Sequence, residues 1–463
     1  AAKQLRVMVI STRTQERKHM AWVRLNLELV TPCFIAGADN DHLNEQQLQE
    51  EGLRPPSLIG EWRFWLRAAL GHYAPDWQER ESNLFGTQLN GGKQGALRVK
   101  PAWKNLQTIS AGRTFGGQNC SFREGTHPIN ALSYLLGQGL FDHNQHSLRP
   151  ALQNNQTIPI DIAIRTRSPE QAKLLWQDLR HALWLWQLFG GVGARSRRGW
   201  GSIQIRNISN DTIIQDEEER EKWTTWFNNS FATWGDAERS TFIRRIHKAS
   251  GGTQTRLYSS PRFIITDTKT TTNPNHADAT TFAGEQNFSN MGSICAVLRT
   301  PLNPLNPLQS WQEALCTIGQ KMLNVRSNAP GRDRPQNELR VQDHNNVYNL
   351  ATGGALTAAP YRAAFGLPHN CHFAELPKAR QDISFEGAKD KAVRRASPVF
   401  IHVARFGIAP DVQYIPTVLW MKSKLTEAPI AGSRPIKSGV GHGHTHEIPD
   451  WSVVTEFLNQ IIY

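Results

Sequence analysis

The densest concentration of chemistry in the chain is Gly190–Gly201, GGVGARSRRGWG. From Gly191 it reads G-h-G, five residues, then G-h-G, with h apolar: Gly191-Val192-Gly193, Ala194 to Arg198, Gly199-Trp200-Gly201. Glycines at such spacing let the backbone turn tightly with positive φ and let a polyanion approach the amide groups. Arg195, Arg197 and Arg198 add charge and the forked donors that suit phosphate. The loop can serve as a phosphate cradle without being a Walker motif. The plainer alternative is a helix-to-strand turn whose arginines keep the surface soluble.

A second group, Asp39, Asp41 and His42, lies in GADNDH. Such a histidine can act as general acid or base at a hydroxyl, and a carboxylate can hold Mg²⁺ or orient a nucleophile. Asp and Asn also favour turns simply by bonding their own backbone. His442, His444 and His446 alternate in GHGHTHE, which on an extended chain puts them on one face. Zinc needs a fourth ligand besides, and the glycine spacing points to a flexible loop. His369, Cys371 and His372 in LPHNCH form a similar but weaker cluster, read as structural. Neither a metal nor a cofactor is expected. GTQLNGGK (Gly86–Lys93) falls out of register with a P-loop and lacks the following Ser or Thr.

The elements that must position the glycine loop are readable from periodicity. Ala21–Val30 alternates as a half-buried strand. In the stretch Pro55–Gly71, Leu58, Trp62, Trp65, Leu66 and Ala69 recur at helical spacing, with Ser57 as a possible N-cap, Arg54 just before and Arg63 and Arg67 on the other side. Ala96–Trp103 reads as a strand, residues 104–155 as a long insertion, and Ile158–Thr166 as a further strand. Ser168–Phe189 is a second strong helix, and Trp200–Arg206 closes the unit as a strand. Strand, helix, strand, strand, helix, strand is the ferredoxin-like order, with both helices on one face of an antiparallel sheet and the other face free. RRM-type modules hold single-stranded RNA on that free face.

The second half repeats these elements less clearly. Strands are expected at Arg262–Thr266, Ser293–Arg299, Pro398–Phe406 and Gln413–Met421, and helices at Gln309–Val325 and Trp451–Ile461. Residues 267–290 and 326–395 read as long polar loops, and the acidic run DEEER at 216–220 as the solvated start of a connecting helix. The expected fold class is therefore α+β, with tandem ferredoxin-like domains at 1–210 and 211–463 and long inserted loops.

Composition narrows the partner. Lys and Arg number 52 against 40 Asp and Glu, a net charge of +12, which favours a polyanion because each neutralised phosphate releases counterions. Fifteen tryptophans can stack on unpaired bases, although a core is the commoner place for any one of them. The five scattered cysteines argue against a disulfide framework or zinc ribbon, and no run of about 18 apolar residues predicts a membrane span. A cytoplasmic protein is expected.

Taken together, PSLIGEWRFWLRAALG (Pro56–Gly71), LFG (Leu84–Gly86), FGGVGARSRRGWG (Phe189–Gly201), FGLP (Phe365–Pro368) and RRASPVFIHV (Arg394–Val403) resemble the RAMP superfamily of CRISPR-associated proteins. Their order and spacing are similar to those of the first RAMP subunits of type III-B (Cmr) complexes. The resemblance implies a non-catalytic tandem-RAMP protein that caps such a complex near the 3′ end of the guide RNA. Its implied partners are guide RNA, single-stranded target RNA and other RAMP and small subunits, with no membrane. The matched positions implied for RNA contact are Arg54, Arg63, Arg67, Gly191, Gly193, Arg195, Arg197, Arg198, Gly199, Trp200, Gly201, Arg394 and Arg395. Some RAMP relatives cleave RNA, which keeps Asp39, Asp41 and His42 as the alternative of an endoribonuclease. The second half lacks a glycine loop of its own.

Overall fold

The computed structural model describes residues 21–35, 44–70, 74–88, 91–115, 121–124, 127–137, 139–141, 146–231, 263–265, 295–299, 308–326, 338–354, 360–365, 369–372, 376–377, 382–387, 397–408, 410–422, 430–436, 439–446 and 452–459. The first unit runs β1 (Val23–Leu29), α1 (Pro55–Leu70), α2 (Trp77–Phe85), β2 (Leu97–Pro101), α3 (Ala131–Leu136), β3 (Thr157–Ile164), α4 (Pro169–Phe189), β4 (Ile203–Ser209) and α5 (Glu217–Phe227). Its sheet has the order β4-β1-β3-β2 with every pair antiparallel, which is the ferredoxin-like arrangement. Alternation sets the faces: Val23, Leu25, Leu27 and Leu29 of β1 and Ile158, Ile160 and Ile162 of β3 are buried with α1 and α4.

Local signals fix the helix ends. Ser168 caps α4 by accepting from the Gln171 amide at 3.2 Å, and Pro169 sits in the first turn, where its missing N–H costs nothing. α1 begins at Pro55 for the same reason, so Ser57 lies inside the helix and is not its cap. α5 is capped by Asp216, which accepts from the Glu219 amide at 2.9 Å. The acidic run is not wholly solvated: Glu219 is buried and paired with Arg180 of α4 at 2.6 Å, and that guanidinium lies 4.0 Å from the Trp226 ring centroid. The first core continues through this helix as far as Phe231.

The second unit contributes β5 (Phe263–Ile265), β6 (Cys295–Arg299), α6 (Trp311–Arg326), α7 (Glu338–Thr352), β7 (His369–His372), β8 (Asp382–Gly387), β9 (Val399–Phe406), β10 (Gln413–Lys422), β11 (Ile430–Ile436), β12 (Gly439–His446) and α8 (Ser452–Asn459). The order β5-β6-β10-β9 places β6, β9 and β10 as the first three strands of a second ferredoxin-like unit. The fourth slot is taken by β5, which precedes β6 and runs parallel to it. β7-β8-β11-β12 form a separate antiparallel sheet. The expected loop at 326–395 thus contains α7, β7 and β8. Gly441–His446 of GHGHTHE form part of a strand and not a flexible loop, because their backbone pairs with β11, with a bulge between His442 and Thr445. Cys316 is disulfide-bonded, so the scattered spacing did not exclude a covalent link.

The two units stack in layers. Phe400, Ala404, Phe406, Ile415 and Leu419 of the second sheet join the first core, while Val399, Ile401, Val403, Val418 and Trp420 face α6 and α8. The helix layer of the first unit is therefore covered by its own sheet on one side and by the second sheet on the other. The 104–155 insertion also bridges the units: α3 packs on α6, closely enough that a Cβ at Gly319 would lie 2.8 Å from the Ala131 carbonyl oxygen. No described helix is long and apolar enough to cross a membrane.

Removing one partner of a buried ion pair strands the other charge away from water. Glu219→Ala is expected to cost about 3–5 kcal/mol, read as a lowered urea midpoint with an unchanged m-value.

Candidate nucleic-acid interface

The glycine loop begins where α4 stops. The Gly190 amide still bonds the Trp186 carbonyl at 2.7 Å, and the Trp186 indole N–H returns to the Gly191 carbonyl at 3.1 Å. The chain then folds back on itself and on residues 31–34. Val192 N–H donates to Gly201 O, Ala194 N–H to Phe34 O and Gly201 N–H to Pro32 O, at 2.6–2.9 Å. Thr31 Oγ1 donates to Gly199 O at 2.7 Å and accepts from the Ser202 amide at 2.9 Å. Glycine is sterically required at several of these positions. Gly201 has φ +67 with a would-be Cβ only 2.0 Å from Val192 O, and Gly199 has φ +83 with a would-be Cβ 2.3 Å from Leu315 of the second unit. Arg195 itself adopts φ +65.

This geometry changes the expected role of the amides. Those of Val192, Ala194, Ser196, Arg198, Gly199, Gly201 and Ser202 already donate to acceptors of the chain, so the backbone is a knot more than an open anion cradle.

The loop arginines reach three different segments. Arg195, exposed at the tip, donates from Nε to Leu136 O of α3 at 2.7 Å. Arg197 donates from Nη1 to Ser397 O at 2.7 Å, with its guanidinium 4.5 Å from the Phe400 ring centroid and 5.2 Å from that of Phe64. Beside it, burial pushes the Glu61 carboxyl up to about 7 against the pull of the Arg197 charge. Arg198 approaches Tyr134 O at 3.4 Å, and its backbone bridges in parallel to Ile401. Trp200 departs from its expected place against a base: it is fully buried and edge-to-face with Phe34, Phe115 and Trp311 at centroid distances of 5.2–5.6 Å. An indole with no exposed surface packs; it does not stack on RNA.

The partner of this knot is β9. Ile401 N–H donates to Arg197 O at 2.9 Å, Val403 N–H to Ser202 Oγ at 3.1 Å and Arg405 N–H to Gln204 Oε1 at 3.0 Å. Buried His402 donates from Nδ1 to Gly190 O at 2.6 Å. The loop is the seam between the units, and only the edge around Ala194 and Arg195 is exposed.

The other expected contacts are placed less centrally. Arg63 and Arg67 both pair with Glu81 of α2, at 3.1 and 2.5 Å, and Arg63 also donates to the Phe85 and Gly86 carbonyls at 3.0 Å. They fasten α2 to α1. Arg54 precedes α1 and is half-buried, with its carbonyl accepting from the Ser57 and Leu58 amides. Arg394, Arg395, Asp39, Asp41 and His42 lie outside the described residues. Among the described residues no cluster of His, Cys, Asp or Glu is arranged to hold a metal ion.

The model of the RAMP superfamily matches residues 26–204, a stretch that spans the first ferredoxin-like unit and its glycine loop. Solved structures similar to the chain include Cmr1 from Pyrococcus furiosus in its apo form, at 16% identity, 91% of this chain and 94% of that one, with a TM-score of 0.39. A chain of the type III-B Cmr-beta complex bound to cognate target RNA and AMPPnP, in the presence of single-stranded DNA, shares 12% identity over 96% of this chain and 99% of its own, TM-score 0.47. One from Cmr-beta bound to cognate target RNA shares 11% over the same proportions, TM-score 0.43. No curated protein matches the chain.

His402 makes the seam pH-sensitive. Burial lowers its pKa from 6.5 to about 4, against the pull of Gly190 O. The unfolded chain therefore takes up the proton first, and stability from this group, full above pH 6.5, is lost as pH falls toward 4. Relative to His402→Gln, the wild-type chain is expected to lose about 3 kcal/mol between pH 7 and pH 4, measured by urea unfolding of both proteins at each pH.

Proposed function

We propose that this chain is an RNA-binding, non-catalytic subunit of a type III-B CRISPR ribonucleoprotein, capping it near the 3′ end of the guide RNA and helping to hold target RNA. The observation that carries the reading is the G-h-G-x5-G-h-G loop closing a unit that matches the RAMP superfamily. The order of the other motifs along both halves of the chain and the net charge of +12 support it. Guide RNA, target RNA and other RAMP and small subunits are the proposed partners, in the cytoplasm. Another subunit of the assembly supplies the cleavage chemistry.

In this reading a loop braced by its own hydrogen bonds presents guanidinium groups at fixed positions, so little order is lost on binding. Arg195 at the exposed tip is the central contact, flanked by Arg197 and Arg198. Arg54, Arg63 and Arg67 extend the track, and the sequence resemblance adds Arg394 and Arg395 as RNA contacts from the second half. Trp200 contributes only by holding the loop in place.

Filter binding of the purified chain to labelled single-stranded RNA across a salt series, with the same samples run on a denaturing gel, tests this. Affinity is expected to fall steeply with salt while the RNA stays intact. Arg195→Ala, with an unchanged melting temperature, should reduce the slope of log K against log salt by about 0.7, one single-strand phosphate contact. Specific cleavage that disappears in Asp41→Ala or His42→Ala would replace this function with a nuclease.

A further inference from the structure

The face of the first sheet turned away from α1 and α4 carries no apolar stripe. Along β1 it presents Trp22, Arg24, Asn26 and Glu28, alternate residues spaced by about 7 Å, with Lys100 of β2, Thr157 and Asp161 of β3 and Arg206 and Asn207 of β4 beside them. Two buried carboxylates organise the charges. Asp161 receives Arg24 through two bonds, at 2.8 and 3.2 Å, and Lys100 at 3.5 Å. Glu28 pairs with Arg206 and, at 3.2 Å, with Arg405 at the end of β9. Each node therefore keeps one positive charge in excess, held in place by its carboxylate. In the first, 44% of the Arg24 side chain and 49% of Lys100 stay exposed.

Between the nodes Asn26 donates to Asn207 at 2.5 Å on the surface, which leaves amide groups able to meet base edges. At one end the Lys100 ammonium lies 4.4 Å from the ring centroid of half-buried Trp22. Two cationic nodes with amides between them and an aromatic ring at the end of the row match an extended phosphate backbone with unpaired bases. A protein surface would be expected to meet apolar groups as well, and this face offers few.

We propose that this open sheet face is a second binding surface for single-stranded RNA, separate from the glycine loop, with Arg24, Lys100 and Arg206 on phosphates and Trp22 stacked on a base. It rests on the RNA-binding reading above and names a further track for the same ligand. The matching face of the second sheet is not available for this purpose, since Phe400, Ala404 and Phe406 bury it against the first unit.

Two variants test the surface without unpairing either carboxylate. Lys100→Gln leaves Arg24 on Asp161, and Thr157→Glu puts a negative charge at an exposed position directly across from Glu28. In the full chain, each should weaken binding of a 4-thiouridine-substituted oligouridylate about fivefold at unchanged melting temperature. Photo-crosslinks in wild type should map to residues 21–29, 97–101 or 203–209. Combined with Arg195→Ala, the fold-losses should multiply, as expected for separate contacts. Wild-type affinity in both face variants, with crosslinks only elsewhere and Arg195→Ala still weakened, overturns this proposal and leaves the loop reading standing. Absence of any RNA binding by the wild-type chain overturns both.

Discussion

A helix that is apolar on every side has to be buried on every side. α4 meets this condition in its last turns, Ala182–Phe189, which are apolar but for Gln187; from Asp178 to Phe189 every residue is buried, including Trp184, Trp186, Leu183 and Leu185. Its own sheet covers only one flank. The second sheet supplies another through Phe400, Ala404, Phe406, Ile415 and Leu419, and α5 adds Trp223, Trp226 and Phe227. The demand of this one helix for cover on all sides explains why the two ferredoxin-like units stack in layers and do not hang as beads on a linker. It also explains the polar residues inside the layer. Arg180 and Asp178 are buried with charged partners, Glu219 and Arg80, because an unpaired charge there would be prohibitive.

The position of the glycine loop follows from the same stacking. It leaves the end of α4 at the level where β9 arrives, and so becomes the place where the two units are joined by backbone hydrogen bonds. Glycine is needed at position 199 because Leu315 of the second unit occupies the space of a side chain. Rigidity and recognition are thus combined in one segment. Its interior atoms hold the seam, and its outer edge displays charge.

Carboxylates recur as organisers of the basic surface. Glu81 gathers Arg63 and Arg67, Asp161 gathers Arg24 and Lys100, and Glu28 gathers Arg206 and Arg405. At Asp161, burial alone would raise the carboxyl pKa, yet the hydrogen bond and charge of Arg24, with Lys100, hold it below its ordinary value. A fixed cation loses less freedom on meeting a phosphate than a mobile one. The cations around Glu81, Asp161 and Glu28 therefore sit at preset positions with a carboxylate behind them.

Much of this was legible in the sequence because the signals were local. Period-two alternation located β1 and β3, helical spacing located α1 and α4, and the expected helix Ser168–Phe189 matches α4 to within a residue. The glycine spacing identified the loop, since a turn with positive φ leaves its mark in residue type. Pairings between distant segments leave no such mark. That Arg197 and Arg198 meet Ser397 and Ile401, that Trp200 fills a core between the units, and that β5 takes the fourth strand position depend on contacts between residues far apart along the chain. By itself the sequence determined the elements, the loop and the excess of positive charge. Which arginines brace the fold and which face solvent was decided only by the tertiary structure, because the burial of a side chain is set by what the rest of the chain brings against it.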